Sequence, residues 1–471
     1  MNAIYQRINA CWCEAGDILL YKRLRTLATE AEIARQENLA EHFSAAPQTM
    51  FGIAHYLKLI GRDHYYSMKT LTLHPEDLAL PYKYAAMALA LLPLAALLLW
   101  PISNAVGGIL LLVSLVVNFL LTYILKSQIL SYRLAYPLSS LAHWTKKLLP
   151  LVAPLDAELA DQLKKCLAVC KKAELPFFLM RYSDASEKMG IPDLTALFLV
   201  PILSYFRVAR FAQKETATLS KMYDLIGEID IACSVSSFRA SLPYHTKPEY
   251  IGTRRFMAEA CYHPLLEMAV PNSIDVSCGV LVTGSNASGK STFIKSIAVN
   301  LILAQAINTC CAKSIRLRHS NIVTAMAVSD NIVEGDSYFI AEIKAMKRLV
   351  NMAEAPGFCY FFIDEILRGT NTVERIAAAY AFLKHFNIRN IICFAASRDI
   401  ELVALTDADY AQCHFEETIA NGEIEFSFKL MPGPAKTRNA LKLLESQRFP
   451  GAITHTANRL VRHFEETDSW N

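Results

Sequence analysis

The sequence predicts a multidomain chain in which α-helical arms are interrupted by a two-span transmembrane hairpin and followed by an α/β domain built on a phosphate-binding loop. Three observations predict this class. An apolar stretch without a single charge runs from Ala85 to Leu125. Helical periodicity dominates on both sides of it. After about Lys247, short β-branched runs alternate with helical patterns, the signature of a parallel sheet with crossover helices.

Composition bounds the reading. The chain has 471 residues, 53% apolar and 19% charged, which excludes a disordered protein and leaves ample material for buried cores. At roughly 150 residues per domain, the length fits two to four domains. Mean hydropathy is +0.24, high for a purely soluble chain. The net charge of +3, from 47 basic and 44 acidic residues, is too balanced to be a nucleic-acid footprint by itself. The 12 cysteines include the close pairs Cys11/Cys13, Cys166/Cys170 and Cys310/Cys311, but no CxxC repeat. Zinc is therefore not expected, and free, buried thiols in a reducing cytosol are. The N-terminal residues MNAIYQRINACWCEAGD lack an apolar core, so no signal peptide is expected.

Residues 1–82 read as helices, with apolar residues at helical spacing over Ile18–Ala28 and a charged amphipathic segment over Glu30–Phe43. Residues 83–126 form the hairpin. Its uncharged length is about twice the ~20 residues that span a bilayer, and Trp100-Pro101-Ile102-Ser103-Asn104 is the natural break. Two spans follow, Tyr84–Trp100 and Asn104–Leu125. Lys83, Lys126 and Arg133 flank their open end and place both long arms in the cytoplasm by the positive-inside rule. The competing reading is a hydrophobic hairpin buried in a soluble core. Residues 127–250 return to helices, clearest at Ser139–Leu149, Ala157–Ala173 and Thr216–Ser237. The apolar run Leu194–Phe206 is short and interrupted by Pro201, and it reads as a buried helix rather than a third span. From 126 to 250 there are 16 basic and 12 acidic residues, too small an excess to demand a polyanion.

The chemistry lies in residues 251–450, which a helical tail, 451–471, follows. Gly279-Val280-Leu281-Val282-Thr283 reads as a buried strand, and Gly284-Ser285-Asn286-Ala287-Ser288-Gly289-Lys290-Ser291 follows at once as GxxxxGK[ST]. Thr292–Ala306 continues as an apolar helix. Phosphates need many donors close to the backbone, and glycines at 284 and 289 let the chain wrap tightly while the helix N-terminus adds a favourable dipole. Residues 284–292 are the expected ATP-binding set. Lys290 reaches the β- and γ-phosphates, and Ser291 ligates Mg²⁺. Downstream, Phe358–Ile363 is an apolar strand ending in Asp364-Glu365. That fits a Walker B strand, with Asp364 holding Mg²⁺ and Glu365 polarising the attacking water. ATP and Mg²⁺ are the only cofactors expected.

At these residues the chain resembles the MutS family of mismatch-repair ATPases. The resemblance rests on Thr283–Thr292 with its Asn286, on Asp364-Glu365-Ile366-Leu367-Arg368-Gly369-Thr370-Asn371-Thr372, and on Asp330–Phe339, which is similar to the family's signature loop. His263-Pro264 and Thr437-Arg438-Asn439-Ala440 extend it over roughly 250–465. Upstream, Ile8–Thr26 and Gly227–Ile231 look like the start of the MutS core and the end of its lever helices. The hairpin would then occupy the place of the DNA clamp, a layout that resembles a membrane-spanning bacterial subgroup of MutS-like proteins. The resemblance implies an ABC-type ATPase domain that works as a homodimer at the bacterial cytoplasmic membrane. It also implies that Ser337 of one subunit faces the γ-phosphate held by the other; the competing reading of Ser337 is an ordinary loop serine.

Three departures qualify the resemblance. The mismatch-reading Phe-x-Glu wedge has no counterpart near the N-terminus; Phe415-Glu416-Glu417 and Phe464-Glu465-Glu466 match it only by coincidence. The hairpin replaces the clamp. Arg398 stands where the family's switch histidine is expected after Ile391–Ala395, and arginine cannot be a neutral switch because its pKa exceeds about 12. Slow or altered hydrolysis is therefore expected. The leading functional reading is a membrane-anchored dimeric ATPase that couples its nucleotide state to DNA binding. The alternative is an ATP-driven membrane switch acting on a protein partner. A transporter ATPase fits less well, because two spans form no translocation path and the LSGGQ form of the signature is missing.

Overall fold

The computed structural model describes residues 2–62, 80–128, 132–285, 288–326, 338–420, 423–435, 449–467 and 469. They divide into two compact units, one helical (Tyr5–Arg25 and Thr29–Ala240) and one largely α/β (Met1–Ile4, Thr26–Ala28 and Ser241–Asn471).

The chain begins with α1 (Asn2–Ile8), α2 (Glu14–Arg23), α3 (Glu30–Ala45) and α4 (Pro47–Ile60). Helix α2 stops before the expected Ala28, whereas α3 starts at the expected Glu30. Its start is fixed by a capping box, in which Thr29 accepts from Glu32 N and the Glu32 carboxylate accepts from Thr29 N at 2.8 Å. Next come α5 (Leu80–Leu99), α6 (Asn104–Gln128), α7 (Tyr132–Val152), α8 (Ala157–Cys170) and α9 (Glu174–Lys188). A short 3-10 helix, Leu194–Phe198, then leads into α10 (Val200–Lys214) and α11 (Thr216–Ala240).

The expected single helix over Leu194–Phe206 is therefore broken. Leu199 takes the left-handed conformation (φ 51°) and Pro201 sits in the first turn of α10. Pro201 has no N–H to give Leu197 O, so a regular helix cannot run through this point and the break belongs to the sequence itself.

Helices α5 and α6 pack against each other as the two arms of the apolar hairpin. Of these, α6 is long and apolar enough to cross a membrane over Asn104–Lys126, while the apolar part of α5, Lys83–Leu99, is shorter. Gly107 lets the arms close, since a Cβ there would stand 2.6 Å from the Trp100 Cα. Pro93 removes the N–H that Leu89 O would accept in a regular helix. Asn118 of α6 replaces it, donating from Nδ2 to Leu89 O at 3.1 Å.

Elsewhere in the helical unit, α2 and α11 cross at unusually close range. A Cβ on Gly227 would lie 2.8 Å from Ala15 O, and one on Gly16 would lie 2.3 Å from Asp230 Oδ2. Asp230 is 0% exposed. It accepts from Trp12 N at 2.8 Å and from Cys13 N and Sγ at 2.8 and 3.1 Å, so it caps the turn that leads into α2. Burial pushes its carboxyl up to about 6, against the lowering effect of these donors.

The α/β unit holds β1 (Glu249–Tyr250), β2 (Phe256–Cys261), β3 (Asn272–Val276), β4 (Gly279–Thr283), α12 (Lys290–Ile307), β5 (Ser314–Leu317), β6 (Asn321–Ala325), α13 (Tyr338–Glu354), β7 (Cys359–Asp364), α14 (Thr372–Phe386), β8 (Ile391–Ala396), α15 (Glu401–Thr406), β9 (Tyr410–Ala420), β10 (Glu423–Pro432) and α16 (Gly451–Thr467). A small sheet has the order β1-β5-β2-β3 and the main sheet β10-β9-β4-β8-β7-β6. From β9 to β6 the neighbours are parallel, and β10 closes the edge antiparallel. Strands β4 and β8 are buried at every position, as a sheet covered on both faces requires. One face packs Phe293, Ile297 and Leu301 of α12, and the other packs Leu349 of α13 and Leu383 and Phe386 of α14. All twelve cysteines are free, and all but Cys278 and Cys413 are buried.

Candidate functional site

The site lies where β4, β7 and β8 end. In parallel sheets with crossover helices, this C-terminal edge is where helix N-termini and loops converge. Strand β4 delivers Thr283, and the chain turns at Gly284 (φ 138°) and again at Gly289 (φ 109°), which caps α12. These are conformations that L side chains rarely adopt. Space forbids a side chain at 284 as well, since a Cβ would meet Phe415 O at 2.8 Å and Ser288 Oγ at 3.1 Å. Ser288 Oγ donates to Ser285 O at 2.9 Å, and Ser285 Oγ donates to Glu417 on β9 at 2.8 Å, so the loop is tied at both ends.

Lys290 opens α12 and is 5% exposed. Its ammonium folds onto the loop, donating to Gly284 O at 2.7 Å and to Ser285 O. Burial lowers its pKa, while the nearby Glu365 and Asp364 act to raise it. The next residue, Ser291, donates to Asp364 Oδ1 at 2.9 Å. A hydroxyl and a carboxylate side by side are the hard oxygen donors that Mg²⁺ takes. The glycine turns, the buried cation and this oxygen pair all fit a Mg²⁺-bound nucleotide triphosphate. Thr292 continues the first turn of α12.

Glu365 follows Asp364 in a left-handed conformation (φ 55°), as does Leu367 (φ 53°). Non-glycine residues held there carry strain that the surroundings must maintain, and functional sites gather such strain. Here Glu365 N donates to Ala396 O of β8 at 3.1 Å. Its carboxylate is gripped by two arginines on one oxygen. Arg368 Nε lies 2.7 Å and Arg398 Nη2 3.0 Å from Oε2. Arg398 is presented by a braced loop, in which Ser397 N donates to Val282 O of β4 at 3.0 Å and Asp399 pairs with Arg375 at 2.6 Å. The same residues line a small pocket beside Glu365.

Of the expected site residues, the structure brings together Gly284, Ser285, Ser288, Gly289, Lys290, Ser291, Asp364, Glu365 and Arg398. Asn286, Ala287 and Ser337 lie outside the described residues, as do Asp330–Asp336 and Thr437–Ala440. Sequence reasoning missed two contributors. Arg368 was read only as part of a motif, and its grip on Glu365 was legible as an i,i+3 spacing. Glu342 on α13 is buried and accepts from Arg368 N and Gly369 N at 3.3 and 3.4 Å, holding the loop that carries Arg368. Its carboxylate reaches that loop from a distant helix, which no local pattern reveals.

Fold and site define an α/β domain built around a strand, a glycine-turned loop and a helix, with a paired acid at the end of β7, one strand removed across β8. Residues 280–465 match MutS domain V. The chain is 26% identical over 278 residues to the DNA mismatch repair protein MutS of Streptococcus sanguinis, covering 56% of this chain and 32% of that protein. Its identity to the protein of the same name from Thermus thermophilus is 27% over 255 residues, covering 53% and 31%. The Lactobacillus acidophilus protein gives 26% over 278 residues, covering 56% and 32%. These alignments are longer than the domain V match, so the similarity extends upstream of it. The domain V match and these relatives support membership in the MutS family, and the chain spans about a third of the length of the curated relatives it matches.

Proposed function

We propose that this chain is a membrane-anchored ATPase that works as a homodimer and couples its nucleotide state to DNA binding. The observation that carries the ATPase reading is the convergence of Lys290, Ser291 and Asp364 at one glycine-turned loop, with Glu365 beside them. In this reading the loop amides and Lys290 bind the phosphates. Ser291 and Asp364 would hold Mg²⁺, which would supply positive charge beside the phosphates. Glu365 orients and deprotonates the attacking water once its carboxylate is free of Arg398. Ser337 of the partner subunit completes each site. Helix α6 anchors the chain in the bacterial cytoplasmic membrane, α5 returns beside it, and both long arms stay in the cytoplasm.

DNA as the ligand is supported by the names of the relatives. The near-neutral charge of the chain neither adds to that support nor opposes it. The test uses a Glu365→Gln variant, which keeps the loop and Lys290 but removes the base. It should bind ATP normally and hydrolyse it about 10²–10⁴-fold more slowly, the range that general-base catalysis contributes. With ATP bound, the dimer is then titrated with matched, mismatched and branched duplexes over a salt series. Binding that weakens steeply with salt supports the DNA reading. Absence of binding to every duplex overturns it and leaves the alternative, a membrane switch that acts on a protein partner. Hydrolysis at the normal rate would remove Glu365 from the role of base.

A further inference from the structure

We propose that the segment Leu194–Phe198, with the start of α10, dips into the lipid bilayer beside the apolar hairpin as a re-entrant element. The inference rests on the membrane-anchored reading of α6 and goes beyond it.

The argument starts from polar atoms in an apolar helix. Asn118 and Thr122 are the polar side chains facing inward from the second half of α6, and both are buried. Asn118 Nδ2 donates to Leu197 O at 2.9 Å as well as to Leu89 O. Thr122 Oγ1 donates to Ala196 O at 3.2 Å. Leu197 O has no regular helical donor, because the residue four positions on is Pro201. Asn118 thus serves two carbonyls that prolines orphan, one in the hairpin partner and one in the 3-10 segment. Backbone that is neither regular helix nor closed barrel is tolerated at membrane depth only where protein satisfies its polar groups. Ala196 O and Leu197 O are satisfied in that way, while Asn118 Oδ1 itself accepts no bond.

The bonds also set its depth. Thr122 and Asn118 precede Lys126 by four and eight residues, about 6 and 12 Å along a helix. Lys126 marks the membrane surface. Its Nζ donates to Ser183 at 2.6 Å and lies 3.8 Å from Asp193 and Glu187, a polar cluster suited to the headgroup level. Asp193 then caps the 3-10 helix through Thr195 N at 3.0 Å. From there the chain carries only uncharged residues until Arg207. Five residues of 3-10 helix descend roughly 10 Å, and the seven residues Val200–Phe206 suffice to climb back the same distance. The outward side is apolar and uncovered, with Leu194 65% exposed and Met189 and Ile191 exposed at its approach.

The experiment reads depth directly. Full-length Leu194→Cys is labelled with the environment-sensitive fluorophore NBD and reconstituted into phosphatidylcholine–phosphatidylglycerol vesicles. The vesicles carry a spin-label quencher either on the acyl chain or on the headgroup. Ile109→Cys in the hairpin and Lys165→Cys on α8 are measured alongside, and the wild-type chain, labelled identically, is the blank for native cysteines. Leu194 is exposed, so its replacement disturbs no packing. The proposal expects the label at 194, which enters the bilayer just below Asp193, to lose fluorescence to the acyl-chain quencher as well as to the headgroup quencher, while 165 responds to neither. Quenching at 109 without quenching at 194 overturns the re-entrant segment alone and points to a protein surface there. Failure at 109 overturns the anchoring reading and this inference with it.

Discussion

Replacing Arg398 by histidine should raise the rate of ATP turnover. In the structure Arg398 and Arg368 both engage Oε2 of Glu365, at 3.0 and 2.7 Å, so the oxygen expected to take a proton from water is already a double acceptor. Histidine at about pH 8 is neutral and shorter, which removes one of these partners. Bare Coulomb energy at 4 Å and an effective dielectric of 20 would be about 4 kcal/mol, but that figure neglects solvent. The Arg398 side chain is 41% exposed, and exposed pairs are worth about 0.2–1 kcal/mol. Freed of that pair, Glu365 should speed hydrolysis by about 1.4- to 5-fold, the kinetic equivalent of those energies. The assay is steady-state phosphate release at saturating ATP and about pH 8, with Arg398→Lys as the charge-retaining control. Turnover that is unchanged would refute the idea that the pair restrains Glu365. A fall in turnover with KM unchanged would reassign Arg398 to stabilising the transferred phosphate.

Three further outcomes are expected. Lys290→Ala should weaken ATP binding by about 10- to 150-fold, because a charged hydrogen bond contributes about 1.5–3 kcal/mol; equilibrium nucleotide titration reads this directly, and intact affinity would move the phosphate site elsewhere. Gly16→Ala should destabilise the helical unit by about 1 kcal/mol, because the new Cβ would stand 2.3 Å from an Asp230 oxygen that Trp12 and Cys13 hold in place, and overpacking of about 2 kcal/mol outweighs a gain in helix propensity of about 1 kcal/mol. Denaturant unfolding checks it, and a more stable variant would contradict the close crossing. Asp230 sets a pH dependence. Its carboxyl is raised from 3.8 to about 6, so the folded state holds the proton more tightly than the unfolded one, and the resulting stability, ~3 kcal/mol, is full below about pH 4 and lost as pH rises through 6. The stability gap between wild type and Asp230→Asn should therefore shift by that amount in the variant's favour between pH 4 and 7, and a constant gap would contradict it.

What the sequence made legible is local and contiguous. The strand Gly279–Thr283, its glycine loop and α12 are one unbroken run of residues, and each part restricts the next. Strand β7 announces itself because both faces are buried and every position is therefore apolar until Asp364. The two arms of the hairpin were readable for a different reason, since no charge interrupts the apolar run from Ala85 to Leu125. Partnerships across the chain were not. Nothing near Asn118 says that it serves Leu89 and Leu197, although Pro93 and Pro201 mark both carbonyls as needing a donor. The break at Leu199 was signalled by Pro201 but outweighed by the apolar run around it. The buried Glu342 and the double grip on Glu365 depend on loops whose course is set by packing rather than by their own pattern.

The bracing of the Ser397–Asp399 loop determines what kind of motion Arg398 can make. Ser397 is bonded to β4, the strand that feeds the glycine-turned loop, and Asp399 is clamped by Arg375. The backbone on either side of Arg398 is therefore tied to β4 on one side and to α14 on the other. Only its side chain can leave Glu365, and exposed side chains change rotamer in picoseconds to nanoseconds, whereas loops rearrange far more slowly. Departure of Arg398 from Glu365 is thus fast, and Arg368 then still holds Oε2 at 2.7 Å. In the proposed ATPase cycle the slow step then belongs to a larger movement, such as closure of the two subunits of the proposed dimer, to which this arginine responds without delay.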